Sequence, residues 1–142
     1  MRVQDVMTRD PRSVSPEAVI REAALIMKRE DVGIVPVVES DGRLVGVVTD
    51  RDIAIRCVAD GKNVEACRVR DVMSAGEIHT CSPEEEIETL MEAMGREQVR
   101  RIPIVDERGT LLGIVSQADV VRKADETKAE RAVEKISQPT HH

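Results

Sequence analysis

The chain has 142 residues, a formal net charge of −6 and 34% charged residues, the size of one compact domain or two very small ones. It contains no Phe, Tyr or Trp, and an acidic chain without stacking surfaces is poorly suited to hold nucleic acid. No apolar run approaches the roughly 18 residues of a membrane helix, no charged-then-apolar leader opens the chain, and three cysteines at unrelated spacings fit a reducing compartment. The expectation is therefore a cytoplasmic protein with neither a membrane nor a nucleic-acid partner.

In chain order, Asp5-Val6-Met7 comes first, followed by a short strand containing Ser13. Ser15-Pro16-Glu17 reads as a helix start, with Ser as cap, Pro at the first helical position and an acid behind it. Ile20, Ala23, Ala24 and Met27 then recur at helical spacing. The β-branched run Ile34 to Val38, the turn Asp41-Gly42 and the run Leu44 to Val48 predict a hairpin. Thr49 opens a second helix ending near Asp60-Gly61, and a short polar connector covers residues 62–70.

The whole series then repeats. Asp71-Val72-Met73 echoes the opening, and Ser82-Pro83-Glu84 begins a register that holds without a gap: Pro103 for Pro36, Gly109 for Gly42, Gly113 for Gly46, Ser116 for Thr49 and Asp119 for Asp52. Ile87, Leu90, Met91 and Met94 form the helical stripe, and Ile102 to Val105 with Leu111 to Val115 form the hairpin. Matching Gly and Pro positions predict a shared backbone path. Ser13 and Thr80 occupy corresponding strands. Residues 124–135 are helix-compatible and charged, the chain beyond Ser137 is expected to fray, and His141-His142 resemble the remnant of an affinity tag. The expected fold is α/β (α+β): two β-α-β-β-α units, residues 3–62 and 68–124, packed sheet to sheet about a pseudo-twofold axis. A charged segment, 125–142, is expected to follow them.

Each second strand runs into a helix through a small residue, two β-branched residues, a hydroxyl and, three residues on, an acid: Gly46-Val47-Val48-Thr49-Asp50-Arg51-Asp52 and Gly113-Ile114-Val115-Ser116-Gln117-Ala118-Asp119. The glycine lets a ligand approach the strand, the helix start suits phosphate, and a carboxylate suits two adjacent ribose hydroxyls. The same spacing is a capping box that needs no ligand. Both uses stay open on sequence.

With these motifs, the chain from about Val3 to Ala124 resembles a tandem pair of CBS domains. The run Gln98 to Pro103 with Thr49 to Ile53 further resembles small stand-alone bacterial CBS-pair proteins tied to hypoxia or stress responses. The resemblance implies a non-enzymatic regulatory module with two clefts that takes AMP, ADP or ATP, or alternatively S-adenosylmethionine or NAD(H). It also implies homodimers and an unidentified protein effector. Carried over by position, Thr49 and Ser116 would contact phosphate or ribose, Asp52 and Asp119 the ribose, and Arg100 and Arg101 the phosphate. Ser13 and Thr80 would lie where backbone reads adenine. Gly33 and Ile34 stand where the second repeat has Arg100 and Arg101, so unequal clefts and one main site are expected. Two alternatives remain: an adaptor with empty clefts, or a metal or redox sensor assembled from Cys57, Cys67, Cys81 and His79. His79 is the sole histidine outside the extreme C-terminus and has no nucleophile paired with it in sequence, so no catalytic residue is expected.

Overall fold

The β-branched runs of each repeat pair as antiparallel hairpins in the computed structural model, which describes residues 1–76 and 78–137. β2 (Ile34–Val38) pairs with β3 (Leu44–Thr49), and β4 (Arg101–Val105) with β5 (Leu111–Ser116). Gly42 and Gly109 turn the hairpins at φ of +88° and +83°, where a residue carrying a Cβ is strained. The turns also bond each other: Leu44 N–H donates to Gly109 O at 2.9 Å and Leu111 N–H to Gly42 O at 3.0 Å.

The amphipathic stripes form α1 (Ile20–Glu30) and α4 (Ile87–Glu97), which bury Ile20, Ala23, Ile87, Leu90 and Met94. Both begin later than the Ser-Pro-Glu motifs predict. Ser15 Oγ accepts Glu17 N–H at 3.0 Å and closes a local turn, while Val19 and Glu86 occupy the caps with extended backbone. The intervening residues are used elsewhere. Ile20 N–H donates to Cys67 O and Val69 N–H to Ala18 O, both at 2.8 Å; in the second copy Ile87 N–H donates to Met1 O at 3.0 Å and Val3 N–H to Glu85 O at 2.9 Å. This backbone pairing between repeats leaves no signature in the sequence and delays the helix.

It belongs to an exchange of opening segments. β1 (Thr8–Arg9) pairs with β5 of the second repeat, and Ser74 bridges to Val47 of the first. Val3 is buried with Leu90, Ile104 and Val115, whereas Cys67, Val69 and Val72 of the short α3 (Val69–Val72) segment are buried with Ile20, Val35 and Val48. Each such aliphatic side chain contributes about 1.5–3 kcal/mol on burial, so each core is completed by the other repeat.

The exchange corrects the expected role of two glycines. A Cβ at Gly46 would lie 2.8 Å from Ser74 O, and one at Gly113 would lie 2.8 Å from Thr8 O. The close approach there is made by the exchanged backbone, not by a ligand.

The second helices diverge between the repeats. α2 (Asp50–Ile53) passes into a π-helical turn, Ala54–Val58, whereas α5 runs unbroken from Gln117 to Ser137. Its Ala, Lys, Glu and Arg residues are good helix formers, without Gly or Pro to stop it. Residues 138–142, including His141 and His142 and the frayed end expected there, lie outside the described residues. No helix among the described residues is long and apolar enough to cross a membrane.

Candidate ligand cleft at the strand-to-helix corners

Both corners are reciprocal capping boxes. Asp52 N–H donates to Thr49 Oγ1 and Thr49 N–H to Asp52 Oδ2, each at 3.0 Å. Asp119 N–H donates to Ser116 Oγ at 3.0 Å and Ser116 N–H to Asp119 Oδ2 at 2.9 Å. Such caps stabilise a helix start by about 0.5–2 kcal/mol. Capping therefore uses one oxygen of each acid, and a ligand would depend on the other.

Asp119 lines a cavity of about 670 Å³ together with Ser116, Arg101, Arg12 and Arg122, walled by Ile34, Pro36 and Ile114. Thr8 and Asp10 of the exchanged segment close one side. Arg12 Nε pairs with Glu30 Oε1 at 3.2 Å, and Arg122 pairs with Asp119 Oδ1. Among the described residues Arg101 has no carboxylate within salt-bridge distance, although its neighbourhood contains several. A second cavity of about 730 Å³ lies between the two helix starts, lined by Thr49, Asp50, Arg100, Arg101, Ser116 and Gln117. Arg101 and Ser116 belong to both. Aliphatic walls suit a planar base, a carboxylate suits a vicinal diol, and unpaired guanidinium groups suit phosphate.

The structure thus gathers Arg101, Ser116 and Asp119 around one cavity, and Thr49, Arg100, Arg101 and Ser116 around the adjoining one. Asp52, Ser13 and Thr80 line neither. Asp52 is nearly buried, with Ser74 Oγ 3.4 Å from Oδ2 and Arg56 Nη1 3.6 Å from Oδ1. Ser13 precedes Val14, which bonds Pro36 O through its N–H. Thr80 lines a separate acidic cavity with Glu84, Glu85, Asp106 and Glu107. Arg12, Arg122 and Thr8 were not evident from motifs. The signal for the first was the repeat register: Arg12 and Glu30 correspond to His79 and Glu97, whose Nε2 and Oε2 lie 3.2 Å apart.

Cys57 and Cys67 lie within hydrogen-bonding reach of each other, but Cys81 and His79 do not join them. Cys57 and Cys67 are buried in the first core and Cys81 in the second. Among the described residues no cluster of three His, Cys, Asp or Glu side chains could hold a metal ion. Burial, then the hydrogen bond and charge of Glu85, push the Cys81 thiol up from 9.0 to about 12. The folded state therefore keeps a proton that the unfolded chain releases. The associated stability is present below pH 9 and is lost as pH rises from 9.0 towards about 12. Thermal unfolding followed by circular dichroism should show a falling midpoint across that interval, smaller in Cys81→Ala. Equal slopes in the two proteins would refute the assignment.

Comparison with known proteins agrees with the fold. The CBS domain family model matches residues 3–58 and 69–126. The CBS domain-containing protein YhcV of Bacillus subtilis is 40% identical over 141 residues, covering 99% of this chain and 98% of that protein. The crystal structure of Hypoxic Response Protein I with two coordinated zinc ions superposes with a TM-score of 0.78 at 30% identity, covering 86% of this chain and 98% of that one; in Mycobacterium tuberculosis the protein of that name is 30% identical over 136 residues. The structure of CBSX2 in complex with AMP superposes with a TM-score of 0.76 at 26% identity, covering 89% of this chain and 98% of that one.

Proposed function

The chain belongs to the CBS domain family, and from that premise we propose that it is a non-enzymatic regulatory module with one main adenine-nucleotide site, in the Asp119 cavity. One observation carries the reading: a single cavity combines aliphatic walls, a hydroxyl, a carboxylate with one oxygen free of capping, and Arg101, which pairs with no carboxylate among the described residues. In this reading the base packs against Ile34, Pro36 and Ile114, the ribose hydroxyls donate to Asp119 in place of Arg122, and phosphate passes Ser116 towards Arg101 and Arg100. The AMP bound by CBSX2 supports this class of ligand. S-Adenosylmethionine and NAD(H) share the adenosine portion and are the other ligands to be titrated.

Occupancy is transmitted because the cavity wall is drawn from both repeats: Thr8 and Ser116 sit on strands that only the exchange brings together. A nucleotide that fits one arrangement of β1 against β5 better than another shifts the balance between them. Pairing with a second copy is part of the proposal. Ile55 and Val58 on the first repeat and Met91 and Val121 on the second remain exposed and apolar, and light scattering of the purified protein tests it.

Without Trp or Tyr the polypeptide absorbs almost nothing near 280 nm, so a copurified purine would dominate the near-ultraviolet spectrum. Isothermal titration of purine-free protein with AMP, ADP and ATP is expected to give one site per chain. Failure of all three to bind, with no purine released on denaturation, overturns the reading and leaves the adaptor alternative.

A further inference from the structure

Although the two corners share a motif, their acids are not equally available. Asp52 is engaged on both oxygens: Thr49 N–H and Ser74 Oγ lie within 3.0 and 3.4 Å of Oδ2, and Ser74 Oγ and Arg56 Nη1 within 3.5 and 3.6 Å of Oδ1. Arg56 is itself anchored. Its Nη1 donates to Val72 O at 3.0 Å and Met73 O at 3.3 Å, and approaches Ser74 Oγ at 3.4 Å. One guanidinium therefore ties the first repeat's acid to the end of α3 and to the segment contributed by the second repeat.

The second corner lacks this arrangement. Asp119 Oδ1 is met by Arg122, whose side chain is 66% exposed and, among the described residues, has no further partner. The residue one repeat length beyond Arg56 is Lys123, which approaches Glu126 instead, at 3.9 Å. Thr8 stands where Ser74 would be, lines the cavity, and among the described residues makes no hydrogen bond to Asp119. A carboxylate offers about four acceptor positions, so Asp119 keeps room for a diol while Asp52 does not.

Residue type and backbone both differ: Ile55 stands where the second repeat has Arg122, and Arg56 where it has Lys123. The π-helical turn Ala54–Val58 widens the helix directly after Ile53, and its central residue is Arg56; insertions of this kind re-aim side chains at functional sites. In α5 the corresponding residues continue as regular α-helix and Arg122, one position earlier, faces the acid.

We infer that Arg56, with Ser74, is the specificity-determining latch that occupies Asp52 and closes the first corner to a ribose, confining ribonucleotides to the Asp119 cavity. The inference rests on the proposed nucleotide reading and adds to it a residue outside the shared corner motif. Arg56 is not a ligand contact. It acts through Asp52.

The test is calorimetric titration of the intact chain with AMP and, in parallel, 2′-deoxy-AMP, which lacks one of the two hydroxyls. Wild type is expected to take one AMP per chain, Arg56→Met to gain a second site, and the added site to discriminate at least tenfold against the deoxy form. Ser74→Ala removes the hydroxyl while keeping the guanidinium, and is expected to admit AMP to the same site more weakly. It also serves if Arg56→Met does not fold. A stoichiometry that stays at one in both folded variants overturns the latch while leaving the Asp119 site standing. Two equal sites in wild type also overturn it. No AMP binding in any of the proteins removes the nucleotide reading and the latch with it.

Discussion

Gly113→Ala is expected to unfold about 8–12 °C below the wild type, a loss of about 2–3 kcal/mol. The added methyl would stand 2.8 Å from Thr8 O, 2.9 Å from Met7 Sδ and 3.1 Å from Met7 Cγ. Methionine can move, but the Thr8 carbonyl belongs to the β1–β5 ladder, where Thr8 is opposite Ile114 and Arg9 opposite Gly113. Relief of the clash must therefore displace β1, and with it the burial of Val3 in the second core. Hydrogen exchange should show faster exchange over residues 3–9 than over α1. Gly95→Ala is the control: it lies within α4, nothing stands within 4 Å of its added Cβ, and it should stabilise by about 0.5–1 kcal/mol through helix propensity. Equal midpoints for Gly113→Ala and wild type would mean that the exchanged segment does not hold the second repeat together.

Asp119→Ala should weaken AMP binding at least tenfold, about 1.4–3 kcal/mol, and lower stability by about 1 kcal/mol through loss of the Ser116 N–H cap. Asp52→Ala should do the reverse: it leaves Arg56 and the Ser74 hydroxyl without their acid and removes a nearly buried cap, yet it leaves affinity for the first AMP close to wild type. Measuring both quantities separates the roles, because a purely structural acid moves the unfolding midpoint without moving the dissociation constant of folded protein. If Asp52→Ala abolishes binding while Asp119→Ala retains it, the ligand sits at the other corner.

The repeat, the hairpins and the amphipathic helices were legible because each is written in local chemistry. Gly42 and Gly109 mark turns that need positive φ, continuous runs of β-branched residues mark buried strands, and Ile87, Leu90 and Met94 fall on one helical face. The helix starts were displaced for a reason that is not local. Ser15 and Ser82 carry the residue type of a cap, but the backbone beyond them is claimed by Cys67, Val69, Met1 and Val3, residues remote in sequence. The same holds for Gly46 and Gly113, whose missing side chains make room for backbone from the other repeat.

At the site, sequence named the hydroxyl–acid pairs and the arginines at the start of β4, yet could not say which acid shares a cavity with Arg101 or that Arg12 and Arg122 join it. Residue type and spacing by themselves determined that this chain is a duplicated α/β unit with two hydroxyl–acid strand-to-helix corners, since turns, corner motifs and amphipathic faces are written within a few residues. Only the tertiary structure decided that the opening segments cross over, that Asp119 faces a cavity, and that Asp52 is held by Arg56 and Ser74. Those outcomes depend on backbone and side chains tens of residues apart competing for the same hydrogen-bonding groups, and such competition is resolved in three dimensions.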